Sequence, residues 1–205
     1  MVESNAVPGF LPSAHGLRFA NRFPPGPTIR LGPLDPHWIG IGDASAGLCG
    51  GMAWYVRERF EAGLLIPSDT VAPANGSPLF RAIVRRQMLS LDWLLVPLRF
   101  WWMGAIGPER AARRSRETEW PRVRADIDAG RLSMVGLVRH TSLNPLHLAR
   151  SHQVLAYAYE MAGDAVTLSV YDPNWPGRDD VSVTLEAFRL HASTGEALGS
   201  VIRLP

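Results

Sequence analysis

The sequence predicts an α+β fold, with a helical half followed by a sheet. Three observations point to it. Between Cys49 and Arg131, apolar residues recur at helical spacing and share their stretches with arginine-bearing polar faces. From Leu132 onward, short β-branched and aromatic runs are separated by clusters of Gly, Pro, Asn and Asp. With 205 residues, 46% hydrophobic and 20% charged, the chain suits one globular domain with a substantial core. The expected division is an irregular arm over residues 1–40, a helical half over 41–131 and a mainly β half over 132–205.

Residues 1–40 are rich in Pro and Gly, as in Pro24-Pro25-Gly26-Pro27. They read as an ordered irregular arm anchored by Phe10, Leu11, Phe19, Phe23, Trp38 and Ile39. His15 and Asn21 read there as turn residues. The pattern of Met52, Val56 and Phe60 predicts a helix over 49–63, closed near Gly63. A loop follows over 67–78, then a helix from Pro78 with Arg81, Arg85 and Arg86 on its polar face. The apolar stretch Leu89–Ile106 approaches the length of a membrane span, but Asp92, Pro97 and Arg99 interrupt it. It predicts a buried helix or helix pair kinked near Pro97. Pro108–Arg131 predicts charged helices, with a new start at Pro121 and a stop at Gly130. Its cluster Arg110, Arg113, Arg114 and Arg116 reads as a solvated face.

Strands are expected over 132–139, 152–160, 165–171 and 181–185, and around Ser200–Leu204, with a helical turn near Glu186–Leu190. The hairpin of 152–171 turns at Ala162-Gly163-Asp164.

Composition limits the functional classes. Lys plus Arg number 21 and Asp plus Glu 19, a formal charge of +2, which provides no global electrostatic case for a nucleic-acid partner. One cysteine allows neither an intrachain disulfide nor a multi-cysteine zinc site. Gly50-Gly51 lacks the Lys-Ser/Thr of a phosphate loop, so no cofactor is expected. Met1–Asn5 carries no basic n-region or apolar h-region, and a cytoplasmic protein without stable membrane insertion is expected.

The chemistry-bearing residues sit at element ends. Cys49 lies where Gly47 and Gly50-Gly51 lead into a helix, whose free N–H groups and dipole favour a thiolate. A lone cysteine is otherwise a small buried hydrophobe. His152 opens one strand and Asp172 follows the next. Together they could serve as nucleophile, base and orienter. His140, His147 and His191 are weaker candidates for the base, lacking that strand context.

The segments Gly47-Leu48-Cys49-Gly50-Gly51-Met52, Ser151-His152-Gln153-Val154-Leu155-Ala156-Tyr157 and Tyr171-Asp172-Pro173-Asn174-Trp175-Pro176-Gly177, in this order, resemble the papain-like cysteine peptidase fold. The resemblance is in the broad sense that includes bacterial double-glycine leader peptidases, and is closest to a group of uncharacterised bacterial proteins. His15-Gly16-Leu17-Arg18-Phe19-Ala20-Asn21-Arg22-Phe23 is similar to that group too. The resemblance implies a catalytic helix packed against a sheet, with a cleft between them. It implies a cysteine hydrolase, a peptidase or amidase acting on a peptide or other amide or acyl substrate. Asn174 then becomes the alternative orienter, since asparagine fills this role in papain. Papain-like enzymes usually place a glutamine a few residues before the cysteine, as an oxyanion donor. Here Asp43 stands six residues before Cys49, and a carboxylate cannot donate unless protonated. Either backbone N–H groups around Cys49 and Gly50 supply the oxyanion region, or another side chain does, or turnover is weak or absent, with Asp43 capping the helix turn or orienting a neighbour. A thiol acyltransferase, with a drier cleft walled by Trp93, Trp101 or Trp102, and an inactive binding protein with a buried Cys49 are the alternatives.

Overall fold

The computed structural model describes residues 2–25, 44, 47–92, 95–139, 151–187 and 189–205. Trp38, Ile39, Asp43, Trp93, His140 and His147 lie outside them. The architecture is α+β, with helices packed against an antiparallel sheet that curls into a half-barrel.

Helix α2 spans Cys49–Glu61 and buries Met52, Ala53, Tyr55 and Val56. Gly63, at φ 64°, turns the chain out of it. Helix α3 spans Pro78–Ser90, its N-terminus capped by the Ser77 hydroxyl, which accepts the Phe80 N–H. The expected kink at Pro97 is not where the apolar stretch breaks. Helix α3 ends at Ser90, Asp92 takes a φ of 38°, and α4 spans Leu95–Ala105. Pro97 falls in the first turn of α4, where a missing N–H costs nothing. One face of α4 is buried through Val96, Phe100 and Met103, while Leu95, Leu98 and Trp102 are exposed. Phe100 rests on Gly136, where an added Cβ would meet the ring at 2.4 Å. Among the described residues no helix is long and apolar enough to cross a membrane.

The expected new start at Pro121 is found one residue earlier, at Trp120, with Pro121 in the first turn. Helix α5 (Pro108–Arg114) runs through a π turn at Ser115–Glu119 into α6 (Trp120–Asp128). Pro121 has no N–H for the carbonyl four residues back. The wider turn before it, in which the Trp120 N–H reaches the Ser115 carbonyl, accommodates that loss.

Among the described residues eight strands form one sheet: β1 (Glu3–Ala6), β2 (Ser133–Val138), β3 (His152–Ala162), β4 (Ala165–Tyr171), β5 (Ser182–Leu185), β6 (Leu190–Ala192), β7 (Ala197–Leu198) and β8 (Ser200–Arg203). The order is β7-β6-β5-β4-β3-β2-β8, all antiparallel. Strand β1 pairs with the far half of β3, Ala6 opposite Ala158 and Glu3 opposite Met161, beyond the stretch that pairs with β2. The arm is therefore not wholly irregular. It supplies an edge strand and a one-turn helix, α1 (Pro12–His15). Phe10, Phe19 and Phe23 anchor it in the core, but Leu11 is exposed. The expected helical turn at Glu186–Leu190 is a hairpin instead, with the Glu186 N–H on the Arg189 carbonyl and β6 starting at Leu190.

The π turn also closes a sheet edge. Strand β8 lies at one end of the order, so alternate N–H groups face away from its neighbour. Ser115 Oγ accepts the Val201 N–H at 2.9 Å, and Glu119 Oε2 accepts the Arg203 N–H at 3.0 Å. Glu119 is 1% exposed and also takes Arg99 at 3.0 Å. Replacing Glu119 with Ala orphans a strand N–H and an arginine together. It is expected to cost about 3 kcal/mol, read as a lower urea midpoint at unchanged m-value. A loss under 1 kcal/mol would show that the edge needs no side-chain acceptor.

Candidate active site

Cys49 is the first residue of α2. Leu48 caps the helix without a side-chain oxygen, and its own N–H donates to Asn21 Oδ1 at 2.6 Å. Gly47 precedes it at φ 93°, a backbone that L-residues rarely adopt. The helix packs against β3 and α3. The two following glycines are packing positions. A Cβ on Gly50 would lie 2.5 Å from both Gln153 Oε1 and Ser90 Oγ, and one on Gly51 would lie 2.2 Å from the Ile83 carbonyl.

His152 and Asp172 come together because the β3–β4 hairpin brings its two open ends side by side. Leu155 pairs with Tyr171, so the residue opening β3 and the residue after β4 share one end of the sheet. His152 Nε2–H donates to Asp172 Oδ1 at 2.7 Å, with both side chains buried. Nδ1 is then the nitrogen left for Cys49, whose charge couples to that of His152. Cys49 itself is partly exposed.

The electrostatics follow from these contacts. Burial opposes the Cys49 thiolate. The His152 charge and hydrogen bond, with N–H groups of Gln153 and Gly50, outweigh it and hold the thiol below its ordinary value. Burial likewise opposes the His152 imidazolium. The charges of Cys49 and Asp172 and their hydrogen bonds overcome it, and His152 is pushed up to about 9. Burial would raise Asp172. His152, the Asn174 N–H and the nearby Arg139 charge hold it below the usual carboxylate range instead. The three groups thus favour a thiolate–imidazolium pair backed by a carboxylate.

The sign of the pH dependence follows. Asp172, with a lowered folded value, contributes stability that is complete above its unfolded value of about 3.9 and lost as pH falls through the folded one. His152, with a raised folded value, contributes stability that is complete below about 6.5, its unfolded value, and lost as pH rises through about 9.

Asp172 and Asn174 are both present, and the hydrogen-bond network separates them. The Leu48 N–H can only donate, so Asn21 must turn Oδ1 toward it. Asn21 Nδ2 then donates to Asn174 Oδ1 at 3.3 Å. That leaves Asn174 Nδ2, a donor, 3.4 Å from His152 Nε2. An N–H group cannot accept the ring proton, so Asp172 holds it. The Asn174 main-chain N–H supports Asp172 by donating to Oδ1 at 2.8 Å.

Asn21, read from the sequence as a turn residue, belongs to this network. The Gln153 N–H at the thiol and the Arg139 charge beside Asp172 were not visible in the sequence either. His15 does not belong to it. It stacks on Phe10 at 5.7 Å, meets Phe60 edge-on at 5.1 Å and bonds the Leu11 main chain. His191 is exposed on β6, opposite Thr184. Trp102 is exposed, with the Arg114 guanidinium 4.7 Å over its ring. Asp43 lies outside the described residues.

Among the described residues no group of three His, Cys, Asp or Glu side chains could hold a metal. A depression of about 480 Å³ lies toward the other end of α2, lined by Tyr55, Glu58, Arg59, Glu61, Ala62, Leu64 and Arg86. Its charges answer one another, Arg86 pairing with Glu58 and both arginines lying over Tyr55. It holds no nucleophile. No family model, curated protein or solved structure matches the chain.

Proposed function

We propose that the chain is a cysteine-dependent hydrolase of papain-like type, a peptidase or amidase, with Cys49 as nucleophile, His152 as acid–base and Asp172 as orienter. The supporting observation is the buried His152–Asp172 pair at 2.7 Å, electrostatically coupled to a partly exposed cysteine at a helix start. Partial exposure of the Cys49 residue favours turnover over a binding role that merely retains the fold.

In the reaction the Cys49 thiolate attacks the substrate carbonyl carbon, and the carbonyl electron pair moves onto oxygen. N–H groups at the start of α2 lie at the end of the helix where that negative charge is favoured. Collapse of the intermediate expels the amine, which takes the Nδ1 proton of the His152 imidazolium. A thioester on Cys49 remains. Water then attacks it, His152 takes the water proton, and the carboxylic acid leaves with the thiolate restored. Asp172 remains ionised throughout and fixes the ring tautomer.

Two measurements test this reading. Alkylation of Cys49 by iodoacetamide should show a midpoint well below about 8.5, the free-thiol value, and His152→Ala should abolish that depression. A midpoint at or above 8.5 in the parent, or one indifferent to His152, overturns the proposal. Turnover of an amide substrate should be bell-shaped in pH. The acid limb belongs to the lowered Cys49, and the alkaline limb falls near pH 9 as His152 loses the proton that the leaving group needs. A profile that keeps rising past pH 10 would exclude His152 as the acid.

A further inference from the structure

Asn21 is far from the site in sequence, 27 residues before Leu48 and 153 before Asn174, yet its polar groups converge there. Its main-chain N–H donates to the Pro173 carbonyl at 2.9 Å. Its side chain accepts the Leu48 N–H and donates to Asn174. Gly47 makes room for it, since a Cβ there would stand 2.6 Å from Asn21 Nδ2. The same arm holds the far end of the Asp172 loop, where Asp179 accepts the Ser13 N–H at 2.8 Å and the Ser13 hydroxyl at 2.6 Å. Between these anchors the Tyr171 ring, fully buried, packs on Gly16.

We propose that Asn21 is a positioning residue, through which the N-terminal arm fixes both the Asp172 loop and the polarity of the amide relay beside His152. This rests on reading Cys49, His152 and Asp172 as nucleophile, base and orienter. The relay has one direction, because the Leu48 N–H that starts it cannot accept. With Asn21 in place the Asn174 oxygen is occupied, and its NH₂ group faces His152. Without Asn21 nothing holds that orientation. The Asn174 carboxamide can then rotate and bring its oxygen toward Nε2–H, in competition with the Asp172 carboxylate. A neutral amide stabilises imidazolium less than a carboxylate does, so the thiolate of Cys49 loses support.

The test uses the full chain as parent, Asn21→Ala, Asn174→Ala and the double variant. Two readouts are taken: the pH midpoint of Cys49 alkylation, and the low-field proton resonance of His152 Nε2–H. Asn21→Ala should raise the midpoint by about one pH unit, about tenfold slower alkylation on the acid limb, and move the resonance upfield. Asn174→Ala removes the carboxamide that would compete, while keeping the main-chain N–H on Asp172, so the double variant should recover most of the shift seen in Asn21→Ala. An unchanged midpoint and resonance in Asn21→Ala, or additive effects in the double variant, overturns the proposal. Asn21→Asp provides a second route should the alanine variant not fold. Its carboxylate accepts from both Leu48 and Asn174, reverses the relay, and should move the resonance the same way. A parent without a depressed alkylation midpoint refutes the hydrolase reading, and the resonance then decides the role of Asn21 by itself.

Discussion

Asp172→Asn should bring the alkaline limb of amide turnover down from near pH 9 by on the order of two pH units while leaving the fold intact. The size follows from what the carboxylate does. Asp172 is buried, accepts the His152 ring proton at 2.7 Å and the Asn174 N–H at 2.8 Å, and stays ionised. An asparagine of the same shape can still accept both hydrogen bonds with its oxygen. Only the charge is lost, and in a buried site a carboxylate beside an imidazolium shifts its partner by one to three pKa units. A two-unit loss lowers the pH at which His152 gives up its proton, and with it the alkaline limb of turnover, by about that much. Asp172→Ala removes the orienting acceptor as well, and should abolish turnover of an amide substrate beyond the loss seen in alkylation. Turnover depends on ring geometry at the leaving group, whereas alkylation depends on the thiolate alone. The measurement is the pair of pH–rate profiles for parent and variant, with the thermal midpoint as control. A profile unchanged by Asp172→Asn would show that Asp172 is a structural acid of the loop and that the His152 charge does not rely on it.

Much of this site was legible because its three chemical residues sit at element ends, next to strong local signals. Glycines flank Cys49 before a long amphipathic stretch, and His152 and Asp172 bracket a hairpin whose turn at Gly163 is plain. Strand registry then brings the residues together, and registry follows from a short turn between two alternating runs. Residues whose role depends on pairing distant in sequence were opaque. Asn21 and β1 act across more than a hundred residues, and no periodicity in the arm announces either. Strand β6 has three residues, shorter than any window in which alternation can be distinguished from a helical turn. Pro97 reads as a kink but sits in the first turn of α4, and Pro121, read as a helix start, follows a π turn into α6, both positions where a helix has no bond for proline to remove.

Gly51→Ala is expected to cost about 3 kcal/mol of stability, a fall in thermal midpoint of about 10 °C for a chain of this size. Helix propensity alone points the other way, since alanine inside a helix is favoured over glycine by about 1 kcal/mol. The close approach of α2 and α3 decides the sign. A Cβ on Gly51 would lie 2.2 Å from the Ile83 carbonyl and 2.9 Å from the Gln87 main-chain nitrogen. Both are backbone atoms of α3, so relief requires the helices to separate. Separation weakens the bond from the Gly51 N–H to Gln87 Oε1, now 2.8 Å, and loosens the buried contacts of Met52 and Ile83. Gly50→Ala makes a useful contrast. Its Cβ meets the ends of two side chains, Gln153 Oε1 and Ser90 Oγ, which can turn away at lower cost. The expected order of stability is parent, then Gly50→Ala, then Gly51→Ala, measured by urea unfolding with equal m-values. Because Cys49 opens the same helix, Gly51→Ala should also shift the alkylation midpoint toward the free-thiol value, since a displaced helix start moves the thiol away from His152. A neutral or stabilising Gly51→Ala would mean that the helices stand farther apart than the 2.2 Å contact allows, and that the glycine pair serves the space in front of Cys49 instead of the packing behind it.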